Sequence, residues 1–169
     1  MPVNLAVGTN SYVDMPTAQN YFDNRLYSDA WNNATVDDKT KALIMASKKI
    51  DRLPIRGVKA NYLQAMEFPR AIMTDYRYWQ YMSLTLNINY NGYWYIEPAV
   101  TDNVKNAVCE EALALLQGIP KRLQLQRQGV KSFNLGGMSE NYGSGTQLQL
   151  ISKEAEEFMQ PYLGDVSLV

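Results

Sequence analysis

Few side chains in this sequence could make or break bonds, and those few are poorly grouped. Its 169 residues include no histidine, the side chain whose pKa suits proton transfer near neutral pH and which most often activates a serine or cysteine nucleophile. Serine and lysine are adjacent at Ser47-Lys48 and Ser152-Lys153, but helical neighbours point to different faces and do not converge. The paired acids Asp37-Asp38 and Glu110-Glu111 have the chemistry to ligate a hard cation or to serve as the two carboxylates of a glycosidase. The plainer reading is a helix start favoured by negative charge and one solvated edge on an otherwise apolar helix. Gly136-Gly137 and Gly143-Ser144-Gly145 lack the spacing of a phosphate loop or a dinucleotide turn. Cys109 is the only cysteine, so neither an intramolecular disulfide nor a thiolate zinc site can form within one subunit. These residues point away from an enzyme and imply no cofactor and no metal.

Binding chemistry is better represented. Tyrosine gathers between Tyr76 and Tyr95, and Tyr78, Trp79, Tyr81, Tyr93, Trp94 and Tyr95 are the candidate partner-contact aromatics. Such rings could stack on unpaired bases, but between Tyr76 and Glu97 the only cation is Arg77, and a strand-binding groove needs cations along the backbone path. A protein interface suits this segment better, because Tyr and Trp supply large amphipathic contact area. Lys121, Arg122, Arg127 and Lys131 form a basic stretch without intervening acids. They are candidates for inter-subunit or channel contacts, matched by the acidic Glu154, Glu156 and Glu157 of the last helix. The net charge of −1 gives no sign of general polyanion binding.

The elements that must position these residues read as mainly helical. Asp14 caps a first helix with Pro16 in its first turn, and Tyr21 and Phe22 lie on its inner side. Thr35 and Asp38 resemble a capping box that opens a longer helix through Leu43, Ala46 and Ile50, stopped by Pro54. Phe68-Pro69-Arg70 forces an extended step, read as a crossover loop. Alternation over Leu84, Leu86, Ile88 and Tyr90, followed by Asn91-Gly92, predicts a small hairpin or lid. Val100 to Leu116 predicts a strongly apolar helix, and Ser152 to about Gly164 a last one. The expected fold is a helical bundle of about four helices with a small β-hairpin or arm and an extended C-terminal tail. It forms a single domain over 1–169, with its helical core at about 11–118 and 150–163. An aromatic insertion spans about 74–97, an arm about 124–149 and the tail 164–169. No signal peptide or membrane span is expected, so the chain is expected to be cytoplasmic when made.

In their order, several motifs resemble the head-to-tail connector, or adaptor, proteins of tailed bacteriophages, a group sometimes labelled DnaT-like single-stranded DNA-binding proteins. They are Ser11-Tyr12-Val13, Tyr21-Phe22, Trp31, Asp38-Lys39 leading to Ile50-Asp51, Phe68-Pro69-Arg70, Gly129-Val130-Lys131-Ser132 and Pro161-Tyr162-Leu163. The resemblance implies a virion structural subunit, a homo-oligomeric ring of about twelve copies that joins portal to tail or stopper protein and surrounds passing double-stranded DNA. It also implies that Asp165, Val166, Ser167, Leu168 and Val169 form a portal-docking tail. The rival expectation is a single-stranded DNA-binding replication accessory protein.

Overall fold

A computed structural model describes residues 4–73, 90–91, 94–120, 124, 132–135, 138–141 and 150–164. Among the described residues, five helices lie in chain order: α1 (Met15–Asp23), α2 (Asp29–Asn32), α3 (Val36–Ile50), α4 (Asp102–Gln117) and α5 (Lys153–Met159), the last running into a 3-10 turn at Gln160–Tyr162. Three of them start on side-chain caps. Asp14 accepts from the Thr17 amide, Thr35 from that of Asp38 and Ser152 from that of Ala155, each satisfying a backbone donor that the helix leaves orphaned. Pro16 lies in the first turn of α1. α3 and α5 both pack on α4, and their apolar stripes close a core around Phe22, Trp31, Leu43, Ile50, Val108, Leu113 and Met159.

The helical bundle predicted from sequence is corrected by an antiparallel sheet of four strands in the order β1-β2-β4-β3. These are β1 (Val58–Lys59), β2 (Arg70–Met73), β3 (Tyr90–Asn91) and β4 (Trp94–Ile96). The supposed crossover at Phe68-Pro69-Arg70, joined by a cis peptide bond, leads directly into β2. The supposed insertion supplies β4, which pairs with β2 through Ala71 to Ile96, Ile72 to Tyr95 and Met73 to Trp94. The described residues are thus α+β, and Tyr90–Asn91 and Trp94–Ile96 belong to a sheet shared with residues 58–73. A β-hairpin, β5 (Ser132–Leu135) with β6 (Met138–Asn141), forms where an arm is expected. Among the described residues no helix is long and apolar enough to cross a membrane. The tail 165–169 lies outside the described residues.

The C-terminal segment returns to the middle of the chain. Arg56 N donates to Tyr162 O at 2.9 Å and Gly164 N to Pro54 O at 2.9 Å, around a bridge between Ile55 and Leu163. Gly57 adopts φ +79, and a Cβ there would meet Ala71 O at 2.4 Å. Glycine is therefore required where this segment turns into β1.

Candidate nucleic-acid interface

Among the described residues, most cations already have partners. Arg25, Lys41, Lys49, Lys59, Arg70, Lys105 and Lys153 each join an ion pair, and Lys39 sits over the Trp31 ring. Lys48, Arg52 and Arg56 are exposed and belong to none of these pairs. Lys48 lies in the last turn of α3, and Arg52 and Arg56 follow it in the non-helical segment that leads into β1. The loop between β1 and β2 adds an aromatic: Tyr62 is 86% exposed and its neighbour Leu63 75%.

The supports of this region lie beneath it. Buried Arg70 donates to three main-chain carbonyls, those of Ile55 at 3.0 Å, Arg56 at 3.2 Å and Gly57 at 2.5 Å, and also to the Glu67 carboxylate. One guanidinium therefore fixes the segment that carries Arg56 and the base of the loop that carries Tyr62. Asp51, at the end of α3, accepts from Glu67 N at 3.1 Å and from the buried Tyr12 hydroxyl, which itself accepts from Phe68 N at 3.2 Å. Burial and the adjacent Asp51 carboxylate push the Tyr12 hydroxyl above its usual range, so it stays protonated and donates. Glu97 accepts from Arg70 N at 2.9 Å, and burial raises its carboxyl above the ordinary range.

The loop itself is stiffened from within. The Gln64 amide donates to Met66 O at 2.8 Å and Pro69 O at 3.0 Å and accepts from Asn61 N at 3.0 Å, while Asn61 Oδ1 accepts from Leu63 N at 2.9 Å. An exposed ring held on a braced loop can stack on a base, and exposed cations can meet a strand's phosphates.

The residues singled out from sequence are placed elsewhere or lie beyond the described structure. Lys121, Arg122, Arg127, Lys131, Tyr78, Trp79, Tyr81, Tyr93 and the tail residues Asp165, Val166, Ser167, Leu168 and Val169 lie outside the described residues. Trp94 and Tyr95 sit in β4, half-buried, opposite Met73 and Ile72. Glu110 and Glu111 do not form a solvated edge, since both are buried. Glu110 takes two bonds from Arg25, at 2.5 and 2.9 Å, and one from Tyr21 at 2.6 Å. Glu111 takes Lys49 at 2.5 Å and the amides of Ile151 and Ser152 at 2.8 and 2.9 Å, tying α3 and the start of α5 to α4. Cys109 is buried, which pushes its thiol up to about 12 and leaves it inert. Among the described residues no group of three His, Cys, Asp or Glu side chains is placed to hold a metal ion.

Helices packed around α4, a small antiparallel sheet, exposed cations and a projecting tyrosine define an α+β domain with side chains suited to an anionic strand. The sequence matches the family described as "Putative DnaT-like ssDNA binding protein" over residues 4–167, and the chain belongs to that family. No curated protein and no solved structure matches it. The family description names single-stranded DNA binding and carries no virion, neck, connector or portal-binding role. The connector and head-completion reading drawn from the motif order is corrected accordingly.

Proposed function

We propose that the chain is a non-catalytic accessory protein that binds single-stranded DNA through Lys48, Arg52, Arg56 and Tyr62. The observation that carries this reading is that Lys48, Arg52 and Arg56 are exposed and outside the ion pairs described, and that Tyr62 is 86% exposed on a braced loop whose base is tied through Arg70 to the segment carrying Arg56. The family description supports the same ligand class. The cations take successive phosphates and the tyrosine stacks on a base, a contact tolerant of sequence because every base has a π-face. Net charge does not oppose this, because acids elsewhere are consumed internally, as Glu110 and Glu111 are.

Fluorescence anisotropy of a labelled oligothymidine, titrated across salt concentrations, tests the proposal. The wild type is expected to bind weakly and salt-sensitively. The triple variant Lys48→Gln/Arg52→Gln/Arg56→Gln should flatten the logarithmic salt slope by about two, since each phosphate contact on a single strand contributes roughly 0.7. No binding at low salt, or an unchanged slope in the variant, would overturn the reading. Ring-shaped assemblies that leave the oligonucleotide unbound would replace it with a purely structural role.

A further inference from the structure

The turn between α1 and α2 is exposed and apolar, with Leu26 78% and Tyr27 84% exposed. Tyr27 has φ 58, the left-handed region that residues with a Cβ disfavour. Arg25, clamped by buried Glu110, holds the turn from below by donating to Leu26 O at 2.6 Å and Tyr27 O at 3.3 Å. The exposed acids Asp23 and Asp29 flank it. Their charge repels phosphate, so this turn is unsuited to a nucleic-acid strand.

The exposed side of α3 has the opposite character. Leu43, Ala46, Ser47 and Ile50 are buried, and the residues that the helix exposes after its first turn are Lys41, Met45 and Lys48. At about 3.6 residues per turn, Lys41 and Lys48 lie almost in line, two turns and about 10 Å apart along the axis, with Met45 between them. Met45 is 52% exposed. From Lys39 to Ile50 the helix carries no acid. Of its lysines, Lys39 sits over the Trp31 ring and Lys49 is held by Glu111, which leaves Lys41 and Lys48 turned to water. Lys41 meets Asp37 at 2.9 Å and Asp38 at 3.7 Å, but all three side chains are about half exposed and such a pair holds its members weakly. A phosphate can therefore take Lys41. Just past the helix end, the Arg52 amide donates to Lys49 O at 3.2 Å. The intervening acid, Asp51, is engaged by the Tyr12 hydroxyl and the Glu67 amide.

We propose that a single strand lies along this stripe of α3, with phosphates at Lys41 and Lys48 and the face of a base against the Met45 thioether. Asp37 and Asp38 end the contact at the start of the helix. Methionine is unbranched and polarizable and packs on aromatic faces, so Met45 accepts any base whose face is open. In a duplex the faces are stacked within the helix, and Met45 thereby favours an unpaired strand. This path rests on the strand-binding function and extends it by one cation and one apolar contact.

Anisotropy titrations across salt concentrations, with labelled oligothymidine and with its duplex, are the test. Lys41→Gln should lower the logarithmic salt slope on the single strand by about 0.7. Met45→Gln should weaken single-strand binding about threefold at every salt concentration, with the slope and duplex binding unchanged. Asp37→Asn, which removes the nearer acid from Lys41, should tighten binding, and Lys153→Gln on α5 should change nothing. Glutamine is a good helix former; circular dichroism verifies each fold, and Met45→Ala replaces Met45→Gln if that variant is unfolded. Wild-type binding left unmoved by Lys41→Gln and Met45→Gln would overturn the path while keeping Lys48, Arg52 and Arg56 as the contact. A Met45→Gln loss shared equally by the duplex would overturn the base contact. A wild type that binds no oligonucleotide is the separate outcome that overturns strand binding itself, and the path with it.

Discussion

The turn at Leu26-Tyr27 and the loop at Tyr62-Leu63 display the same two side-chain types, in reversed order and at similar exposure. Their surroundings separate them. Asp23 and Asp29 flank the first, while the second rises from a region carrying Arg52 and Arg56 and anchored to α3 through Asp51. A tyrosine among acids is closed to a polyanion and open to protein, whereas a tyrosine among cations suits a nucleic-acid strand. The foundations differ as well. The first tip depends on one buried ion pair, and the second on an amide network within the loop and a guanidinium below it. An exposed aromatic thus takes its meaning from the charge beside it and from what holds it still.

The comparison breaks most visibly at Glu110. Glu110→Ala leaves Arg25 without its buried partner and should cost about 3 kcal/mol of stability in denaturant unfolding. Hydrogen exchange should quicken at residues 25–28 and stay unchanged at 61–66. Next in size is the contrast between the two rings. Tyr62→Ala should weaken oligonucleotide binding by about 2 kcal/mol, the scale of a lost base stack, whereas Tyr27→Ala should leave anisotropy titrations unchanged. Equal losses in both variants would erase the distinction. Gln64→Ala removes the brace of the second loop and should cost about 1 kcal/mol in thermal or denaturant unfolding, with strand affinity falling because the ring is no longer held. The smallest effect is expected at Glu97. Its carboxyl is raised by burial, so the folded state holds the proton more tightly than the unfolded state. It therefore adds stability below the ordinary carboxylate range and loses it as pH rises through the raised value. Glu97→Gln, which keeps an acceptor for Arg70 N, should flatten that decline in an unfolding series against pH.

The helices were legible because their signals are local. Asp14, Thr35 and Ser152 announce helix starts within three residues of the amides they cap. The sheet was not legible, because Arg70-Ala71-Ile72-Met73 is too short to show a period and its partner β4 lies more than twenty residues further along the chain. Distance along the chain also hid the roles of Glu110 and Glu111. Their partners Arg25 and Lys49 are 85 and 62 positions away, so the pair looked like a wet helix edge. The cation run was visible in principle, since Lys48, Arg52 and Arg56 recur at intervals of four with no acid four residues to either side. A denser basic cluster at Lys121 to Lys131 outweighs it in the sequence, and Tyr62 stands outside the tyrosine-rich segment.

Arg70 grips carbonyl oxygens at positions 55, 56 and 57, and every amino acid has a carbonyl. Its hold does not depend on which side chain stands at position 56. That position can therefore vary, to lysine, glutamine or an aromatic, while the backbone beneath keeps its course. Ligand preference at this edge is separable from folding, and a change of partner requires a change of side chain without a new fold.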